Sequence, residues 1–343
     1  MKPARALLVG LAAMTLGAAI LLLRANAAEM APTGTAQVHD TIRMLRTPAG
    51  TYRVHIWEPG VSEGKIPLVL YAPGWGGRAE DSAKLVCDLA SHGYLVVAFD
   101  DPVQDARRAG ETRQEREDIA ADFRMDTLPA YREGFAMASR RVAITSRKGR
   151  AVLDGVLALP DLEERIDPAR IGIVGFSFGG ATGVELAHDD PRIKAVVNLD
   201  GWVFGKSAKQ LPSVPYLLFY IDEDFPDEAV QTSDKPADRT LMHGIAFDKA
   251  LHRRQMKRDD FFWLRIHGFG HEDLKDEQLR WNWRHPRYWL SLLNPEFMKT
   301  KQDQFAVITA FLDRYLKGEA GAFPPAGGEY PGPISTMQGA DLS

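Results

Sequence analysis

The chain alternates short apolar runs with longer stretches of mixed polarity. Ile66–Ala72, Tyr94–Phe99, Arg170–Gly175, Ile193–Leu199, Tyr216–Tyr220 and Phe261–Ile266 are dominated by aliphatic and aromatic side chains. Near-continuous runs of this length predict strands buried on both faces of a parallel sheet. Between them, Asp81–Ser91, residues 140–159, Gly180–His188 and Phe305–Leu316 read as helices, and Gly93 supplies a stop after the first. Strands alternating with helices predict an α/β domain built on one mostly parallel sheet, with helices on both faces.

Residues 51–318 hold this domain. Residues 28–50 read as an N-terminal extension, and the Gly- and Pro-rich residues 319–343 as an extended tail. Two charged stretches, 101–133 and 222–260, fit no core element. Both follow strands, so they are expected above the carboxyl edge of the sheet, where α/β proteins build substrate walls. Residues 1–27 read as an export signal. Lys2 and Arg5 precede an apolar run from Ala6 to Leu23, and Ala25-Asn26-Ala27 has the form of a cleavage site. The alternative is an uncleaved anchor, since the run is just long enough to span a bilayer. Cleavage would remove Lys2, Arg5 and Arg24 and take the net charge from −4 to −7. A periplasmic or secreted bacterial protein is the expectation.

With 42 basic and 46 acidic residues, the composition argues against a nucleic-acid partner. The single cysteine, Cys87, excludes an intrachain disulfide and falls on the apolar face of an expected helix. No group of His, Cys and acid has ligand spacing, so neither metal nor cofactor is expected.

The candidate chemistry centres on Gly175-Phe176-Ser177-Phe178-Gly179, a G-x-S-x-G pentapeptide between a strand and a helix. A serine on such a tight turn projects above the sheet edge, and the helix that follows aims N–H groups at any negative charge formed there. A serine hydroxyl needs a base, and the base needs a carboxylate, in the chain order Ser, acid, His. His271 is the candidate base, placed after the last long strand by His267-Gly268-Phe269-Gly270. Two acids compete. Asp200 ends one strand beside Gly201 and Trp202; Asp224 follows the next strand within an acidic loop. Asp200 is the easier of the two to bury beside a histidine. The oxyanion hole needs two backbone N–H groups, assigned to Phe178 and to Trp75 in Pro73-Gly74-Trp75-Gly76-Gly77. Phe176 and Trp202, with Trp75 and Phe178, are expected to line a narrow apolar acyl pocket.

Together these segments resemble the platelet-activating factor acetylhydrolase family of α/β-hydrolases. The carriers are the elbow Gly175-Phe-Ser-Phe-Gly-Gly180, the segment Leu199-Asp200-Gly201-Trp202 and the segment Ile266-His-Gly-Phe-Gly-His271. The resemblance implies an α/β-hydrolase fold, a Ser177–Asp200–His271 triad and ester hydrolysis on small esters or short-acyl phospholipids. It departs from the family pattern at Ala72-Pro73-Gly74-Trp75-Gly76 and at Phe176, both more apolar than the family's residues. The aromatic run Trp281–Trp289, with Arg284 and Arg287, reads as a late packed helix or as a peripheral membrane contact.

Overall fold

The computed structural model describes residues 31–60, 64–110, 123–276, 279, 294–319, 321 and 323–337. The expected export signal and the run Trp281–Trp289 therefore lie outside the described residues. Nine strands form one sheet: β1 (Val38–Thr47), β2 (Gly50–Pro59), β3 (Ile66–Ala72), β4 (Leu95–Phe99), β5 (Ile166–Phe176), β6 (Ile193–Leu199), β7 (Tyr216–Ile221), β8 (Phe261–Ile266) and β9 (Ile334–Thr336). Their spatial order is β1-β2-β4-β3-β5-β6-β7-β8-β9. The pairings from β4 through β3 to β8 are parallel, while β1–β2, β2–β4 and β8–β9 are antiparallel.

Every residue of β3, β4 and β7 is buried, as the unbroken apolar runs require. Alternate side chains serve opposite faces. Val69, Tyr71, Val96, Val174, Val197 and Phe219 pack beneath α1 (Ala83–Ser91) and the late helix Pro295–Leu312. Leu68, Leu70, Val97, Ile173, Val196 and Leu218 pack beneath the 30-residue α2 (Leu128–Leu157) and α3 (Phe178–Asp189). The next long helix, α4 (Pro236–Arg253), adds Leu251 to that face, and Pro295–Leu312 is α5.

Three expectations change. The extension 28–50 contributes β1, ten residues paired with β2 as an edge strand. Most of β1 is exposed, including Ile42 and Met44, so its composition lacks the signature of a buried strand. The tail contributes β9, three residues that cover the outer edge of β8 and are too short to show a period. The long helix begins at Leu128 rather than near 140, capped by the Thr127 side chain; the buried Arg141 and Lys148 interrupt its apolar stripe.

Candidate active site

The site is assembled at the carboxyl ends of β5, β6, β7 and β8. Ser177 follows β5 at φ 52° and ψ −123°, in strained backbone, and caps α3. The flanking glycines are demanded by space. A Cβ on Gly175 would lie 2.1 Å from the Gly179 carbonyl oxygen, and one on Gly179 would lie 2.0 Å from that of Ala72. The Ser177 N–H donates to the Leu199 carbonyl at 2.8 Å, so the serine continues the β5–β6 ladder by one rung.

Asp200 repeats the arrangement one strand over. Its φ is 56°, and Ser177 and Asp200 are the only non-glycine residues with positive φ among those described. Its N–H donates to the Phe219 carbonyl at 2.9 Å. The turn is held by the buried amide of Asn198. Oδ1 accepts from the Gly201 N–H at 2.8 Å, and Nδ2 donates to the Gly201 carbonyl at 2.7 Å and to the Tyr216 hydroxyl at 2.8 Å.

His271 opens a short 3-10 turn beyond β8, and its Nδ1 lies 2.5 Å from Asp200 Oδ2. An ionised carboxylate only accepts, so Nδ1 carries the proton and Nε2 keeps its lone pair for a second partner. Burial pushes the Asp200 carboxyl up to about 7, against a hydrogen bond from Asp224, and pushes the imidazole below its usual value. Asp224, from the turn after β7, is itself buried and shares the wall of the same cavity.

Gly77 N–H donates to the Gly74 carbonyl at 2.9 Å, closing a four-residue turn with Gly76 at φ 70°. Such a turn leaves the N–H groups of its two central residues, Trp75 and Gly76, outside its own hydrogen bond. The loop packs directly on Ser177, since a Cβ on Gly74 would meet Ser177 Cβ at 3.3 Å. Behind it the buried Arg141 guanidinium pairs with Asp101 at 2.6 Å and stacks 4.1 Å from the Trp75 ring centroid and 5.4 Å from that of Phe178.

Ser177 and His271 face two cavities of opposite character. One, of about 320 Å³, is walled by Trp75, Phe123, Phe178, Trp202, Phe204 and Ile245. The other, of about 560 Å³, is polar and includes Arg78, Gln104, Arg107, Glu272 and Lys275.

Residues 140–256, which contain the elbow and both acids, match the family model of platelet-activating factor acetylhydrolase, isoform II. The bovine platelet-activating factor acetylhydrolase is 26% identical over 203 residues, covering 52% of this chain and 44% of the relative. A Thermobifida alba cutinase is 27% identical over 158 residues, covering 46% of this chain and 42% of the cutinase. Over the segment that carries the elbow and both acids, this chain is similar to the platelet-activating factor acetylhydrolases. It spans less than half the length of these curated relatives. A ferulic acid esterase from Streptomyces cinnamoneus shares the fold, with a TM-score of 0.55 and 21% identity over 90% of this chain and 98% of that one.

The α/β-hydrolase sheet thus gathers Ser177, Asp200, His271, Trp75, Phe178 and Trp202 around one cavity. Phe176 is the exception. As the last residue of β5 it shares with Val174 the face of α1 and α5, and its ring packs against the imidazole, centroids 4.8 Å apart. It supports the histidine and borders the polar cavity, not the apolar one. The two charged stretches supply wall residues, with Phe123 and Met125 from the first and Leu241 and Ile245 from the second. Sequence reasoning located those stretches without naming the residues, which stand alone among charges. It had no signal for Arg141, one charge within a charged helix. It treated Asp200 and Asp224 as rivals; the structure sets them side by side.

Proposed function

We propose that this chain is a serine carboxylic-ester hydrolase. The observation that carries the proposal is the 2.5 Å contact between His271 Nδ1 and Asp200 Oδ2, made where the imidazole shares both cavities with the strained Ser177. His271 Nε2 takes the Ser177 proton as the hydroxyl attacks the ester carbonyl. The N–H groups of Trp75 and Phe178 hold the oxyanion, and His271 then protonates the leaving alcohol. Water clears the acyl-enzyme by the reverse proton path. No step calls on a cofactor.

The apolar cavity fits a short acyl group, and the polar one suits a hydrophilic alcohol such as the glycerol portion of a short-acyl phospholipid. The names of the similar proteins, acetylhydrolase, cutinase and esterase, all denote ester cleavage and support this assignment. The aromatic walls favour a second substrate class, aromatic polyester fragments, and one relative from Streptomyces coelicolor is named bis(hydroxyethyl) terephthalate hydrolase. In either case residues 1–27 direct the enzyme to the cell envelope or beyond.

Hydrolysis of p-nitrophenyl acetate, butyrate and octanoate, beside a short-acyl phospholipid and bis(hydroxyethyl) terephthalate, tests both substrate classes. The short p-nitrophenyl esters should turn over fastest, and Ser177→Ala should lower kcat by about six orders of magnitude with the fold intact. Full activity in that variant would sink the assignment, and a preference for octanoate would sink the short-acyl pocket.

A further inference from the structure

Asp200 uses one oxygen on His271. The other, Oδ1, is buried, and no N–H or hydroxyl among the described residues reaches it. What lies against the Asp200 carboxyl is the carboxyl of Asp224, within hydrogen-bonding contact. Asp224 is 7% exposed and its Oδ2 accepts from the Ile221 N–H at 3.1 Å, which anchors the side chain to the end of β7. No Lys or Arg forms an ion pair with either acid among the described residues. The other titratable neighbours are Glu223, Asp248 and the Tyr220 hydroxyl, which donates to Asp248. Around His271 stand Glu272, Glu223 and Lys275, the last paired with Glu272. Two carboxylates in contact in a buried site cannot both be ionised, and two ionised carboxylates cannot hydrogen-bond.

We propose that Asp224 is a positioning residue that works as a neutral carboxylic acid, its O–H donating to Oδ1 of Asp200 and holding that carboxylate ionised and aimed at His271. The proton stays on Asp224 throughout turnover; the bond it makes supplies a donor that no N–H or hydroxyl among the described residues provides. Burial and the charge of Asp200 both push the Asp224 carboxyl well above the usual carboxylate range, in the sense the arrangement requires. The two acids are thus a dyad with divided roles. Asp200 orients the base, and Asp224 keeps Asp200 in the form that can do so.

This inference rests on the esterase assignment, and asparagine and alanine at 224 test it. An asparagine N–H replaces the acid's O–H but cannot ionise; alanine leaves Oδ1 bare. On p-nitrophenyl acetate, Asp224→Asn should stay within about threefold of wild type in kcat, whereas Asp224→Ala should lose about 10- to 100-fold, the worth of one hydrogen bond to a buried charge. Losing the donor raises the Asp200 pKa further, so the acid limb of the pH profile should move to higher pH in the alanine variant only. The wild type should also lose activity at alkaline pH, as Asp224 ionises against Asp200, and Asp224→Asn should not. Equal damage from both substitutions, or an acid limb moving to lower pH in Asp224→Ala, would overturn the proposal. The downfield proton resonance of the His271 Nδ1–H, recorded without substrate, separates this from the esterase assignment itself. It should persist in Asp224→Asn and broaden or vanish in Asp224→Ala; persistence in both would count against the dyad whatever the turnover.

Discussion

Asn198 shows how much geometry one side chain can fix. Its amide satisfies both backbone groups of Gly201 and the Tyr216 hydroxyl, and so encloses the turn on which Asp200 holds its positive φ. Neighbouring residues are shaped around it, since a Cβ on Gly180 would fall 1.9 Å from its Oδ1. Asn198→Ala should therefore cost about 2–3 kcal/mol in urea unfolding, two or three buried hydrogen bonds at about 1 kcal/mol each, and should lower kcat by relaxing Asp200. A kcat unchanged beside the expected loss of stability would show that Asp200 is held by other contacts. At this scale the sequence is legible where a motif forces the backbone, as the glycines around Ser177 do. It is illegible where a polar residue serves another polar residue. Asn198 within an apolar strand reads as an interruption, and only the folded sheet shows what it bonds.

The element that carries His271 is pinned by two helices, α5 and α1, that share one face of the sheet. Lys301 of α5 is fully buried, and its ammonium donates to the carbonyls of Asp273, Leu274 and Lys275, the residues that follow the histidine, and to Gln304 Oε1. Asp276 ends that turn, accepts from the Leu85 N–H of α1 at 2.8 Å and faces Lys301. Burial pushes the lysine down and the aspartate up, each held charged by the other. Lys301→Met should leave three carbonyls and a buried carboxylate without their cation. The expected outcome is a loss of about 3–5 kcal/mol in chemical denaturation, together with a lower kcat as the turn loosens. A variant as stable as wild type would show the turn to be held by packing alone. The amphipathic pattern of residues 305–316 identifies the helix, but a lysine and an aspartate 25 residues apart give no sign that they meet.

At the scale of the molecule the sheet order explains why the four chemical groups converge. β5, β6, β7 and β8 are consecutive neighbours, all parallel, so Ser177, Asp200, Asp224 and His271 leave from adjacent carboxyl ends. That much follows from the apolar runs. The borders do not, because edge strands owe their place to pairing and not to burial. β9 protects β8, the strand that leads to His271, with Met337 N–H donating to the Trp263 carbonyl and His267 N–H to that of Pro333. Truncation after residue 329 should bare that edge, lower the melting temperature by several degrees and promote self-association visible in light scattering. Unaltered melting and a monodisperse product would assign the last residues no structural part.

The two strained residues have one more consequence. Ser177 and Asp200 each donate their N–H to the next strand, so each is the final rung of a ladder. Their separation is measured out by the spacing of strands, about 4.8 Å apart, and not by any loop. The sheet acts as a ruler for the chemistry, while Phe123, Met125, Leu241 and Ile245, which shape the apolar cavity, hang from separate segments above it. Selectivity can therefore be rewritten by exchanging those segments without recalibrating the spacing on which bond cleavage depends.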